Sequence, residues 1–244
     1  MLHTRLLLAT VVALGMTTLA VAADKAANPT EKKAEPQSRP GLVVIEEDVW
    51  MRFNDEPSHH MQRAHASFLK KEYKAAANEL QKTASYLHVE SQNAVGETKS
   101  ALAASAEELD RLAHDVAAGT VKSAKTLESA FARAEHALAT HHQAKANTAL
   151  SEKHGTTAGH YLNSAVTHLE NAAKWTGHEL ESGTVATANG VRTVAGKLIE
   201  GSGAVVDEAG KGINWVGEEI VKLGKTIEPA KKVEDTKPAA EKKE

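Results

Sequence analysis

Apolar residues return at helical spacing along most of this chain. Ala64, Phe68 and Leu69 close one stripe before a short turn near Lys70–Glu72, and Tyr73, Ala76, Ala77, Leu80, Ala84 and Leu87 open the next. Val95, Leu102, Leu109 and Val116 then hold a heptad, with Ala106 and Ala113 beside it. Leu127, Phe131, Ala134 and Leu138 form a further stripe, and Leu162, Ala165, Leu169, Ala172 and Ala173 another. The punctuation agrees. Asp55-Glu56-Pro57-Ser58 reads as a helix start, with proline in the first turn and acids favouring the helix N-terminus. Gly119-Thr120 ends one helix and begins the next, and Gly155 to Gly159 mark another turn. Leu42 to Ile45 is short and apolar but has no second strand to pair with. It reads as an extended lead segment whose Trp50 and Phe53 pack onto helices. The pattern predicts an all-α fold, a bundle of long antiparallel helices, with alanine and glycine letting those helices sit close.

The sharpest periodicity lies near the C-terminus. Gly196, Gly203, Gly210, Gly217 and Gly224 recur every seventh residue, and beside them run Ile199, Val206, Ile213, Ile220 and Ile227. A strict heptad keeps both series on one side of a helix. With the isoleucine and valine series at position a, Ser202, Ala209, Val216 and Leu223 occupy d and the glycines flank the seam. Each interior glycine costs a helix about 1 kcal/mol against alanine, so close approach by another helix is expected to offset the series. Three occupants of that face are open: the helix around Leu102–Val116 of the same chain, a partner helix or second copy, and a membrane surface. The polar face mixes charge signs, which fits the last least well.

A shift of 89 residues aligns Ala76-Ala77-Asn78-Glu79-Leu80 with Ala165-Val166-Thr167-His168-Leu169 and Tyr86 with Trp175. The preceding helices correspond through Gln62-Arg63-Ala64 and Ala132-Arg133-Ala134. The reading is two alanine-rich helical hairpins plus the Gly/Ile heptad helix. Around Ala64 to Tyr86 the chain resembles half of a tetratricopeptide unit, without the period of about 34 residues that an array needs. RAHASFLKKEYKAAANELQKTASYL at 63–87, and RAEHALATHHQAKANTAL at 133–150, resemble the YfdX-like exported all-α bacterial proteins. That resemblance covers less than a third of the chain. It implies a stress-associated role and carries over no catalytic residue; the glycine heptad has no expected counterpart there.

The ends set compartment and boundaries. His3 and Arg5, the apolar stretch Leu6 to Gly15 and the small residues Ala20-Val21-Ala22-Ala23 read as a signal peptide over residues 1–23. Residues 24–41 read as a disordered linker, 42–227 as the helical domain and 228–244 as a disordered charged tail. A periplasmic protein is expected, with secretion the alternative. The chain has no cysteine, which removes thiolate metal sites, thiol catalysis and disulfides. Its formal charge of −3 becomes −4 once Arg5 is gone, which argues against a nucleic-acid partner.

Histidine is the candidate chemistry. Twelve of the 13 lie between His59 and His178, so full protonation would carry the mature chain from −4 to +8. No two stand three or four apart, so no single helix chelates a metal through histidines alone. Across an antiparallel hairpin turning near residues 155–157, His154 would face His160, His142 face His168, and His136 face His178. His141, His142 and His168 are the candidate metal ligands on that reading, for zinc or copper. Ser164, Asn171 and Trp175 share the wheel side of His160 and His178, a mostly polar side expected to be solvated. With no nucleophile elbow, phosphate loop or HExxH motif, catalysis is not expected and no cofactor is required. The sequence reads as an exported helical interaction protein, envelope-stress related and pH-responsive. The alternatives are a histidine-rich metal binder and a peripheral membrane protein.

Overall fold

The computed structural model describes residues 55–177 and 182–227, which belong to a compact unit beginning at Met51. The segments read as signal peptide, linker, lead segment (with Trp50 and Phe53) and tail, together with His178, lie outside those residues. Within them the chain forms α1 (Glu56–Leu69), α2 (Tyr73–Asn93), α3 (Gly96–Ala117), α4 (Ala124–Ser151) and α5 (Gly155–Thr176). Then come α6 (Ser182–Ile199), a 3-10 turn (Gly203–Val205) and α7 (Val206–Gly224). No strand occurs among the described residues, and none of their helices is long and apolar enough to cross a membrane. The fold is an all-α bundle.

Local chemistry sets the boundaries. Pro57 sits in the first turn of α1, where its missing N–H costs nothing. Lys71 and Lys153 take left-handed backbone in the tight turns after α1 and α4, with φ of 63° and 64°. Ser123 caps α4, its hydroxyl oxygen accepting from the Lys125 amide. Gly177, at φ 74°, closes α5 in a conformation only glycine takes without strain.

Helix α2 packs between α1 and α3, and α5 between α4 and α6, which matches the two-hairpin reading of the sequence. Helices α3 and α4 join the halves, and α7 lies across α4, α5 and α6. One apolar cluster gathers Met61, Leu80, Leu87, Leu102, Leu109, Leu127, Phe131 and Leu138; a second gathers Leu162, Val166, Leu169, Val191, Ile213 and Val216.

Several expectations need correcting. The Val95 heptad begins one step later: Val95 is 83% exposed in the extended break after α2, while Leu102, Leu109 and Val116 are buried. The turn after α4 is Glu152–His154, and Gly159 lies inside α5, where close packing demands it. A Cβ there would stand 2.6 Å from the Ala195 carbonyl oxygen and 2.9 Å from Ile199 Cγ1. The polar side of α5 is not solvated. Ser164 and Asn171 are buried, and His65 of α1 meets Trp175 edge-on with centroids 5.2 Å apart.

The glycine series does not ride on one helix. After Ile199 the backbone turns through Gly201 at φ 84°, so Gly196 and Ile199 belong to α6, Gly203 to the 3-10 turn, and Gly210, Gly217 and Gly224 to α7. A Cβ at Gly196, Gly203 or Gly210 would meet nothing within 4 Å, so close helix approach does not offset these three. The seam itself holds over α7: Ala209, Ile213, Val216, Ile220 and Leu223 are buried, while Val206 is exposed and Ile227 half-buried against the second cluster. It faces α4, α5 and α6 of the same chain, so of the three open occupants an intramolecular one is found, though not chiefly the helix around Leu102–Val116.

Candidate functional site

The most unusual chemistry lies inside the bundle, where α4 turns Glu135, His141 and His142 inward. Among the described residues these three, with His168 of α5 and Glu90 of α2, are the ionisable side chains buried in an interior built mainly from alanine and leucine. On α4, Phe131, Glu135, Leu138 and His142 share one stripe, so the polar groups occupy core positions by helical register.

Two carboxylate–imidazole pairs form. His168 Nδ1 donates to Glu135 Oε2 at 2.6 Å, both side chains fully buried. His141 Nε2 donates to Glu90 Oε2 at 2.9 Å, and Lys145 Nζ reaches the same oxygen at 3.2 Å. Burial pushes the Glu90 carboxyl up, but the His141 hydrogen bond and the Lys145 charge outweigh it and hold the group below its ordinary range. Burial and the negative charge of Glu90 push the Tyr86 phenol far up.

His142 sits between these pairs with its ring faces covered. The His168 ring stacks on it at 5.1 Å and 9°, and the Tyr161 ring at 5.8 Å and 21°. Tyr161 and His168 are seven residues apart, about 10.5 Å along a helix, so the imidazole is inserted between the two. His141 tilts against it at 5.5 Å, and Lys145 stands 5.0 Å over the Tyr161 ring. Among the described residues neither ring nitrogen of His142 has a hydrogen-bond partner, and Glu135 Oε1 has none either. Burial, reinforced by the fields of His168, His141 and Lys145, holds His142 well below its ordinary value.

The three histidines named from sequence are therefore brought together, and the facing of His142 and His168 holds. Among the described residues their geometry offers no arrangement matching the expected zinc or copper site. Imidazole lone pairs lie in the ring plane, so parallel stacked rings point their nitrogens past each other. No group of three or more His, Asp or Glu side chains among the described residues is arranged to hold a metal ion. His136 leaves the cluster altogether, its Nε2 donating to the Ile220 carbonyl oxygen at 3.0 Å. Ser58, His168 and Glu135 do not form a catalytic serine–histidine–acid arrangement. Ser58 Oγ lies 3.3 Å from His168 Nδ1, the nitrogen that Glu135 already takes, whereas nucleophilic activation needs the serine and the acid on opposite nitrogens.

Sequence reasoning missed Glu90, Glu135, Lys145, Tyr161 and Ser58. For the two glutamates a signal existed: Glu90 continues the Leu80–Thr83–Leu87 stripe of α2, and Glu135 falls between Phe131 and Leu138. A carboxylate on an apolar stripe requires a buried partner. No family model, characterised protein or solved structure matches the chain.

Proposed function

We propose that this chain is an exported, non-catalytic helical interaction protein whose packing loosens in acid. The observation that carries the reading is His142: an imidazole with no exposure and no hydrogen bond, enclosed by two histidines, a lysine and a tyrosine. Leaving such a group unpaired costs about 1–3 kcal/mol, and a hydrophobic residue would pack there without that cost. What the histidine adds is a response to protons. An exported protein meets external pH directly, so the reading supports an envelope-stress context. Partner recognition is by helix surface, either of another protein or of a second copy.

The sign follows from linkage. His142 is neutral in the folded state well below the pH at which it charges in the unfolded chain, so the unfolded state binds the extra proton. Stability is then complete above about pH 6.5 and declines below it, by up to about 1.4 kcal/mol per pH unit. Urea unfolding between pH 8 and pH 5 tests this. Wild type is expected to lose stability over that window, while His142→Phe, which keeps a flat ring between Tyr161 and His168, flattens the profile. Equal slopes in the two proteins would remove His142 as the sensor.

A further inference from the structure

We infer that α6 and α7 form a strap that opens from the bundle ahead of the other helices, held by polar latches. Two latches connect α4 to α7. His136 Nε2 donates to the Ile220 carbonyl oxygen at 3.0 Å, and Gln143 Nε2 to the Ile213 carbonyl oxygen at 3.3 Å. Donors and acceptors are each seven residues apart and run in opposite order, so one contact repeats along an antiparallel pair. Each carbonyl also serves the amide four residues on, Gly224 and Gly217, where a Cβ would stand 2.9 Å from His136 Nε2 and 3.2 Å from Gln143 Nε2. Glycine leaves the notch through which the donor reaches a carbonyl within a helix. A third latch fixes α6: Arg192 grips Glu170 of α5 through both terminal nitrogens, at 2.6 and 2.8 Å.

Against these latches stands a weak helical backbone. Gly190 and Gly196 in α6 and Gly210 in α7 have open space where a Cβ would lie, so nothing in the packing returns what they cost. Helix α6 adds Thr184, Val185, Thr187, Val191, Thr193, Val194 and Ile199, whose branched side chains further lower helix preference. The strap therefore depends on its docking face and latches, the profile of a segment that opens locally. Opening bares Leu162, Val166 and Leu169 of α5 with Ala139 and Ala146 of α4, which share a cluster with the strap residues Val191, Ile213 and Val216.

Native-state hydrogen exchange of the full mature chain tests the strap independently of its acid response. At pH 7.5, amides of α6 and α7 are expected to exchange through openings far more populated than those of α2 and α3. Gly190→Ala, Gly196→Ala and Gly210→Ala each fill open space and should slow strap exchange about fivefold, about a hundredfold together, with α2 and α3 unchanged. His136→Leu with Gln143→Leu should accelerate the strap alone. A single exchange free energy shared by all helices, or alanine substitutions that slow every helix equally, would overturn the strap.

Discussion

At the scale of single residues, His142 and Glu135 differ in what their removal does. His142 carries no charge in the folded protein and no hydrogen bond, so His142→Phe should stabilise the chain at pH 7.5 by about 1 kcal/mol as well as flatten its acid response. Glu135 is the acceptor for His168 in a site closed to water. Glu135→Leu alone removes the closer acceptor of His168 Nδ1 and leaves it only the longer contact to Ser58 Oγ, so it should cost about 1–3 kcal/mol. Adding His168→Leu removes that donor, so the double variant should recover much of the loss. Urea denaturation of both singles and the double measures the coupling, and simple additivity would mean that the pair does not act as a unit.

At the scale of elements, glycines of one composition do opposite things. Gly159→Ala drives a methyl into the Ala195 carbonyl and Ile199, and overpacking of this kind costs about 1–3 kcal/mol. It should lift α6 from α5. Gly210→Ala meets nothing and should gain about 1 kcal/mol; thermal melts of the two should move in opposite directions. Within the heptad itself no periodicity separates Gly210, which has open space, from Gly217 and Gly224, which face Gln143 and His136, because the heptad counts residues and says nothing about which side of a helix has a neighbour. Element type and the stripes of α2, α4 and α5 were legible, since burial follows apolar register. The break at Ala94–Val95 carries no proline, and α3 begins on a left-handed Gly96 that reads as an ordinary helical glycine. Gly201 ends α6 within a series that otherwise looked continuous. Of the three histidine facings expected across the α4–α5 turn, that of His142 and His168 was legible from equidistance, whereas His136 turns to α7 instead. The carboxylate partner of His141 on α2 was not, because Glu90 and His141 are 51 residues apart and no turn relates them.

At the scale of the whole molecule, acid should act in steps, because the groups that resist protonation do so over different ranges. His142 is first, below about pH 6.5, for the reason of sign given above. The carboxylates follow. Burial raises Glu79, but hydrogen bonds from His60, Lys82 and Arg63 bring it down to about 2, and Glu90 is also held below 4.5. A carboxylate depressed in the folded state stabilises above its unfolded value and loses that contribution as pH falls, so both begin to act as pH falls through 4.5, Glu79 down to about 2. Trp175 is placed to report the first step, since its ring lies against Phe131 at 5.1 Å and His65 at 5.2 Å, between α4 and α1. Its near-UV circular dichroism should fade between pH 6.5 and 5 while far-UV helical signal persists, with helix loss following near pH 4 and below. The strap enters the same equilibrium, because Tyr161, which covers one face of His142, packs against the cluster that α6 and α7 close. Water reaches that edge of the imidazole more readily when the strap is open. The three glycine-to-alanine substitutions should therefore shift the first step to lower pH without altering the carboxylate range, whereas His142→Phe should abolish it. A first step that survives His142→Phe unchanged would assign the acid response to the surface histidines instead.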